Sequence, residues 1–579
     1  MNEKSFERYF QNELNKLQNL AREFSQQHPS VAPLLDSHTA DPDAARLLEG
    51  VAFLTALLNQ KLDDEFPEVI HGLTNILFPH YLKPIPALSI VEFTPKVSLR
   101  EMIKVEKSTV INAAPIDDVE CSFATTANLA IYPMALKKIY YEDKPEHQSQ
   151  LCLDIELLNS DVSILQKEGL DFYLGSSYSE ASNLFMLLNN FLQKITVVTD
   201  DREISLPLDS LVSKGFNNRE ESLFSYPKNT LWSYAILQEY FVLPQKFFFF
   251  KLNNLDRLKK AMKGSRFRVC FHFKNVPLEL GSLSSEAVKL FCTPVINIFE
   301  TEAEPITVDH YKEMLHVRPP YRYKDKYQVY DIQKVSGYIQ GDSKEKKYYR
   351  FESFEPDAKS KNIYQVHRKI SIVDSKEEVY IALHYNQVER TRKETLSLKI
   401  RCTNGRLPER LQLGEISQSS DNSPELATFK NIIPCTMQIE SPVNENSLWQ
   451  FVSHLSINLL TLSDIETFKE MLKLYMFPHS RDKSQVAKNQ KRIDAIEEFK
   501  VYPTEMVKRG YLLKGHKVEM GIRQDYFASL GDMYLFCSVI YQFLSNYAAL
   551  NSYVELEVKE KITGEDLKWV PMLGNKKLI

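Results

Sequence analysis

The chain has 579 residues, 43% hydrophobic and 25% charged, with 17 glycines and no periodic Gly or Pro pattern, which excludes fibrous and low-complexity classes. At roughly 150 residues per domain, the length points to about four domains or a few larger ones. With 71 basic against 76 acidic residues the formal charge is −5, which gives no global reason to expect nucleic-acid or anionic-lipid binding.

The first 80 residues read as helical. Phe6, Phe10, Leu14, Leu17, Ala21 and Phe24 form one apolar stripe with the period of an α-helix. His28-Pro29 and Pro33 end that helix. Asp41 can cap the next, with Pro42 in its first turn. Ala44, Leu47, Val51, Leu54, Leu58 and Leu62 then repeat the stripe. A third short helix is predicted from Pro67 to about Phe78. Residues 1–80 hold six Lys/Arg against twelve Asp/Glu, a net of −6 that leaves +1 for the remainder. Each stripe fits an internal bundle and a surface buried against another chain equally well.

After Pro84 and Pro86 the texture changes to mixed α and β. Strands are predicted at Leu88–Phe93, Leu151–Leu157, Val269–Phe273, Leu396–Cys402 and Val554–Val558, most of them from apolar and polar residues in alternation. Helices are predicted over Ser179–Leu192 and along Phe536, Val539, Ile540, Phe543 and Tyr547. Gly341–Lys361 and Ser417–Ser423 read as exposed polar loops. The expected fold class is α+β and multidomain, because regular strand–helix alternation is missing. The expected division is a helical arm or bundle at 1–86, a mixed middle region at 87–300 and a β-rich region with a late amphipathic helix at 301–579.

The sequence offers little for catalysis. It contains no G-x-G-x-x-G, no G-x-x-x-x-G-K-[ST] and no G-x-S-x-G. Asp63, Asp64 and Glu65, with Glu68, His71 and His80 nearby, lack a compact metal-ligand spacing. They read better as acidic residues opening the helix after Pro67, where they complement its positive end. His454 lies in an apolar helical run, and Ser453, His454 and Ser456 have no spacing that implies a triad. No metal, cofactor or catalytic residue is predicted. The seven cysteines are scattered, without C-x-x-C, and read as free thiols of a reducing cytosol. The N-terminal residues mix both charges and do not read as a signal peptide, and no apolar run reaches membrane-spanning length, so a cytoplasmic protein is expected.

Three clusters carry competing readings. The basic run from Asp256 to Arg268 suits phosphate contact, but a solvated helix leading into a strand explains it more simply. Tyr321–Tyr327 reads either as an anion-binding segment or as a charged edge strand. Trp232, Tyr240, Phe241 and Phe247 belong to the densest aromatic block, which suits a core element or an interface anchor. Gln238 and Glu239, inside that block, need partners if buried.

Beyond these separate signals, the chain resembles the TssF family of type VI secretion baseplate subunits. The resemblance is carried by Phe6-Glu-Arg-Tyr-Phe, Ala40-Asp-Pro-Asp, Arg46-Leu-Leu-Glu-Gly, Lys61-Leu-Asp-Asp-Glu-Phe-Pro and Leu77-Phe-Pro-His-Tyr-Leu-Lys-Pro-Ile-Pro. It continues through Leu237-Gln-Glu-Tyr-Phe, Lys246-Phe-Phe-Phe-Phe, Cys292-Thr-Pro-Val-Ile-Asn-Ile-Phe, Cys402-Thr-Asn, Trp449, His454-Leu-Ser-Ile-Asn and Asn551-Ser-Tyr. Ser233, Ala235 and Gln245 depart from the family pattern, as does the segment after Ile433.

The resemblance implies a non-enzymatic wedge component related to those of contractile-phage baseplates. It implies two copies associating with one TssG, self-association within the wedge, and assembly with TssK, TssE and the VgrG spike hub. Tube and sheath polymerisation would start on that assembly, which attaches indirectly to the inner-membrane complex. Phe6, Phe10, Leu14, Leu17, Leu47, Val51, Leu54 and Leu58 are then the expected partner interface. An enzyme with an unrecognised active site and a nucleic-acid-binding module using residues 257–268 are the alternatives.

Overall fold

A computed structural model describes residues 81–574 apart from short internal stretches, the longest being 442–463, 352–361 and 385–392. It also describes a helix over 46–56 and helical positions at 10, 11, 14 and 17. The chain divides into two compact units, Met1–Leu77 and Phe78–Ile579.

In the first unit the 46–56 helix buries Ala52 and Ala56, while Leu47, Val51 and Leu54 are exposed. The third predicted helix lies outside the described residues.

The second unit is mixed. Its helices are α1 (Tyr178–Met186), α2 (Trp232–Val242), α3 (Ile465–Lys473), α4 (Lys483–Asp494) and α5 (Leu530–Tyr547). Helix α1 runs on into a π turn at Leu187–Phe191, so the helical segment predicted over Ser179–Leu192 is present in two parts.

Strand Leu88–Pro95 sits inside a five-stranded antiparallel sheet, between Cys292–Ile296 and Ala427–Asn431. A second five-stranded sheet places Arg266–Lys274 between Leu192–Thr199 and Gln148–Leu157. A four-stranded sheet holds Phe249–Leu252 against Leu170–Leu174. The largest sheet spans residues 299–403, and Glu394–Thr403 pairs along Gln328–Ile339 within it. There Leu396, Leu398, Ile400 and Cys402 are fully buried, and the intervening Ser397, Lys399 and Arg401 stay in partial or full contact with solvent. The alternation read from the sequence is thus one face on a core.

The last sheet begins with the hairpin Ile496–Lys508 and Tyr511–Ile522, turning at Gly510 with φ +83°. The chain then crosses over through α5 to Ser552–Glu560, which lies parallel to Tyr511–Ile522.

Helix α5 packs on both α1 and α2. Tyr534 meets Phe185, Phe536 meets Tyr240, and Phe543 meets Tyr234 edge-on, with ring centroids 6.1, 5.8 and 5.6 Å apart. Ser529 caps α5 by accepting the Asp532 N–H, and its hydroxyl bonds Ser182 at 2.9 Å. A Cβ on Gly531 would stand 2.2 Å from the Ser182 carbonyl carbon, so only glycine permits this close crossing.

Four readings are corrected. Residues 341–361 are not all loop, because Glu345–Arg350 forms a strand between Gln328–Ile339 and Ile363–Ile370. Its side chains are mostly polar, and neighbouring backbones supply what its composition does not. Tyr321–Tyr327 is not an edge strand but a 3-10 turn, in which Tyr323 stacks on Tyr327 at 4.6 Å. The basic run is a 3-10 turn at Leu255–Lys260 followed by strand Arg266–Lys274, not one solvated helix. Finally, Cys152 and Cys270 are disulfide-bonded rather than free. They are directly opposed in register on neighbouring strands, with Cα atoms 4.3 Å apart.

Gly531→Ala should destabilise the second unit by about 2 kcal/mol or more, since the clash is with backbone that cannot turn aside. Thermal unfolding monitored by near-UV circular dichroism checks this, and an unchanged Tm would mean that α1 and α5 cross less tightly.

Candidate assembly surfaces

The aromatic block is core. Tyr240, Phe241 and Phe247 are buried, as is every residue of α2 from Ser233 to Val242. A helix apolar around its whole circumference belongs inside. Trp232, half-buried at its start, donates from Nε1 to the Phe216 carbonyl at 3.0 Å.

The two buried polar residues of α2 have their partners. The Tyr226 hydroxyl donates to Gln238 Oε1 at 3.1 Å. Glu239 accepts the Leu223 N–H at 2.9 Å and pairs with Lys246, which also lies over the Trp232 ring. Burial pushes the Glu239 carboxyl above its ordinary range, against the pull of Lys246.

Two more charged nodes hold the unit together. Asp331 takes Lys83 at 2.7 Å, Arg350 at 2.9 Å and Arg401 at 3.0 Å. Burial alone would raise the Asp331 carboxyl, but the three cations outweigh it and hold it well below the usual carboxylate range. Burial also draws the Lys83 ammonium below its ordinary value. At the second node Arg492 Nη2 donates to Asp532 Oδ1 at 3.0 Å and Oδ2 at 3.1 Å, and the Tyr178 hydroxyl donates to Oδ1 at 2.8 Å. Burial pushes the Tyr178 phenol well up, so it stays a donor. Each carboxylate is held by the cations or hydroxyls around it, which is the signature of structure-holding polar networks.

The basic segment is likewise answered locally. Arg266 pairs with Glu156 at 2.7 Å and Arg268 with Asp154 at 2.6 Å, both across strands. Among the described residues no group of three or more His, Cys, Asp or Glu is placed to hold a metal. Asp63, Asp64, Glu65, Glu68, His71, His80, Ser453, His454 and Ser456 lie outside the described residues.

Exposed apolar groups define the surfaces left over. On the 46–56 helix, Leu47 is 72% and Leu54 62% exposed, with Val51 beside them on the same face. Phe10, Leu14 and Leu17 are half-buried, and Phe6 and Leu58 lie outside the described residues. On the hairpin Val507 and Leu512 are opposed in register, 70% and 59% exposed. Strand 552–560 reaches only as far as Lys514, so among the described residues this end is two-stranded. The sequence reading missed the hairpin, although Gly510 between two β-branched and apolar runs was a usable turn signal.

The family model for type VI secretion system TssF matches residues 2–576. The chain belongs to the TssF family. It is 26% identical over 620 aligned positions to the type VI secretion system component TssF1 of Pseudomonas aeruginosa, covering 98% of each chain. It is also similar, at 26% identity and a TM-score of 0.77, to a chain of the cryo-electron-microscopy structure of the type VI secretion TssK-TssF-TssG baseplate subcomplex, covering 92% of this chain and 99% of that one. A chain of the type VI secretion baseplate complex shares the fold, with a TM-score of 0.62 at 22% identity, covering 99% of this chain and 100% of that one. The TssF family resemblance read from the motifs therefore extends along nearly the whole chain.

Asp331→Asn should cost this TssF-family chain about 3 kcal/mol or more, because three cations are left facing a neutral amide. A depressed carboxyl stabilises the fold above its unfolded pKa, about 4. That contribution is lost as pH falls through its folded value, so the wild type should lose stability steeply below about pH 4. The Asn variant should start lower and fall less steeply. Denaturant midpoints between pH 7 and pH 3 test both statements.

Proposed function

We propose that the chain is an architectural subunit of the type VI secretion baseplate, acting through its interfaces rather than through catalysis. The single observation that carries this reading is the family match over residues 2–576, joined to the likeness over nearly all of a chain in the TssK-TssF-TssG subcomplex. Its partners on this reading are TssG and TssK, with two copies of this chain per TssG. The finer part of the proposal adds TssE and the VgrG hub, and a cytoplasmic position against the inner-membrane complex. No helix among the described residues is long and apolar enough to cross a membrane.

The N-terminal stripe is the proposed partner interface. Leu47, Val51 and Leu54 expose large apolar side chains on one helix face, whereas small Ala52 and Ala56 are the buried ones. Exposed apolar faces of this kind favour association. A nucleic-acid role is disfavoured by Arg266 and Arg268, whose guanidinium groups already pair with carboxylates.

Co-expression with cognate TssG and TssK is the direct test. Leu47→Ser, Val51→Ser and Leu54→Ser together should weaken capture of TssG by about 100-fold or more, since each apolar side chain withdrawn from an interface is worth roughly 1.5–3 kcal/mol. Removal of residues 1–40 should abolish capture. Both variants should keep the near-UV spectrum of the second unit. A wild-type chain that never joins TssG and TssK would overturn the reading.

A further inference from the structure

One cleft in the second unit is left unexplained by the core and by the N-terminal stripe. It has a volume of about 770 Å³ and lies between the end of α2, the segment 433–439, helix α4 and the turn at 525–528. Occupied binding clefts commonly fall in this size range. One wall is apolar, formed by Phe241, Leu243, Pro244, Met437 and Phe527. Helix α4 contributes Lys488, Lys491 and Arg492 to the lining, with Asp482 at its N-cap.

Three carboxylates and three cations face the cleft, but they are not evenly paired. Three carboxylates line it, and all three are engaged. Asp482 caps α4 by accepting the Ser484 N–H, Asp525 pairs with Arg523 at 2.7 Å, and Asp532 is held by Arg492 and Tyr178. Lys488 and Lys491 also line it, are exposed, and make no ion pair with any described residue. They stand one helical turn apart on the same face.

A buried polar residue of α4 also borders the cleft. Asn489 is only 2% exposed. Arg492 Nη1 donates to its Oδ1 at 3.2 Å, which fixes the orientation of the amide. Its Nδ2 is then a buried donor with no acceptor. The amide nitrogen has almost no accessible surface, so it lies beneath the cleft lining rather than open to it.

We infer that this cleft receives a segment of a partner chain whose apolar side chain packs against Phe241 and whose flanking carboxylates meet Lys488 and Lys491. The inference rests on the assembly role proposed above and names the chemistry of one partner surface. It uses a part of the chain far from the N-terminal stripe in sequence, so the two surfaces are separable by mutation.

Two measurements on the purified complex with cognate TssG and TssK test it. With Gln485, an exposed residue lining the cleft, replaced by the photo-crosslinker benzoylphenylalanine, mass spectrometry should locate the adduct on a partner peptide containing an apolar residue beside Asp or Glu. Lys488→Glu with Lys491→Glu should weaken complex formation about tenfold or more at low salt, with the Gln pair intermediate. Both lysines are exposed, and an unchanged Tm will separate lost binding from lost folding. If the wild-type complex forms but the adduct falls on this chain itself, on a basic or wholly polar segment or nowhere, the inference fails while the assembly role stands. Unchanged affinity of the Glu variant would have the same meaning. If no complex forms at all, the assembly role fails with it.

Discussion

The burial of helix α5 is the constraint on which the second unit depends. Its residues make one layer with α1 and α2, which come from positions some 300 residues earlier in the chain. The crossing is set by Gly531 at the Ser182 backbone, by the Ser182–Ser529 hydroxyl pair and by Arg492 on Asp532. Apolar area supplies most of the free energy of such a layer. The hydroxyls and the ion pair decide at which register it packs, because a slipped helix would strand them without partners.

Charge is treated in the same way elsewhere. Asp331 gathers a lysine from residue 83 and two arginines from the 299–403 sheet, and Glu239 gathers Lys246 within the aromatic core. The Asp331 node ties segments that are distant in sequence. Such nodes add little net stability against an apolar replacement, yet breaking one member is expensive. They therefore specify arrangement more than they strengthen it. Among the described residues, Arg401 Nε of the Asp331 node and the Asn489 amide nitrogen are buried polar atoms without a hydrogen-bond partner.

Much of the secondary structure was legible. The period-two run Leu396–Cys402 and the apolar positions of α5 were read correctly, because in both the burial pattern is written locally. What was illegible is pairing at long range. Nothing local in Leu88–Pro95 says that Ala427–Asn431 will lie beside it, and no spacing rule brings Cys152 opposite Cys270. Glu345–Arg350 was missed because its strand state comes from neighbouring backbones and not from its own polar side chains. The aromatic block showed its presence in the sequence but not its place. The cleft was invisible for a stronger reason, since its four walls come from four separated segments. The N-terminal stripe was visible as a pattern, and its exposure at Leu47, Val51 and Leu54 could not be read from the pattern.

Among the described residues, the hairpin at 496–522 leaves Ile496–Lys508 at the rim of its sheet, with a neighbour on one side only. Such a rim invites identical molecules to join it rung by rung. Proline at 503 carries no N–H to offer, and Glu498, Lys500 and Glu505 place charge along the same rim. Both features oppose strand-to-strand joining between copies of the molecule.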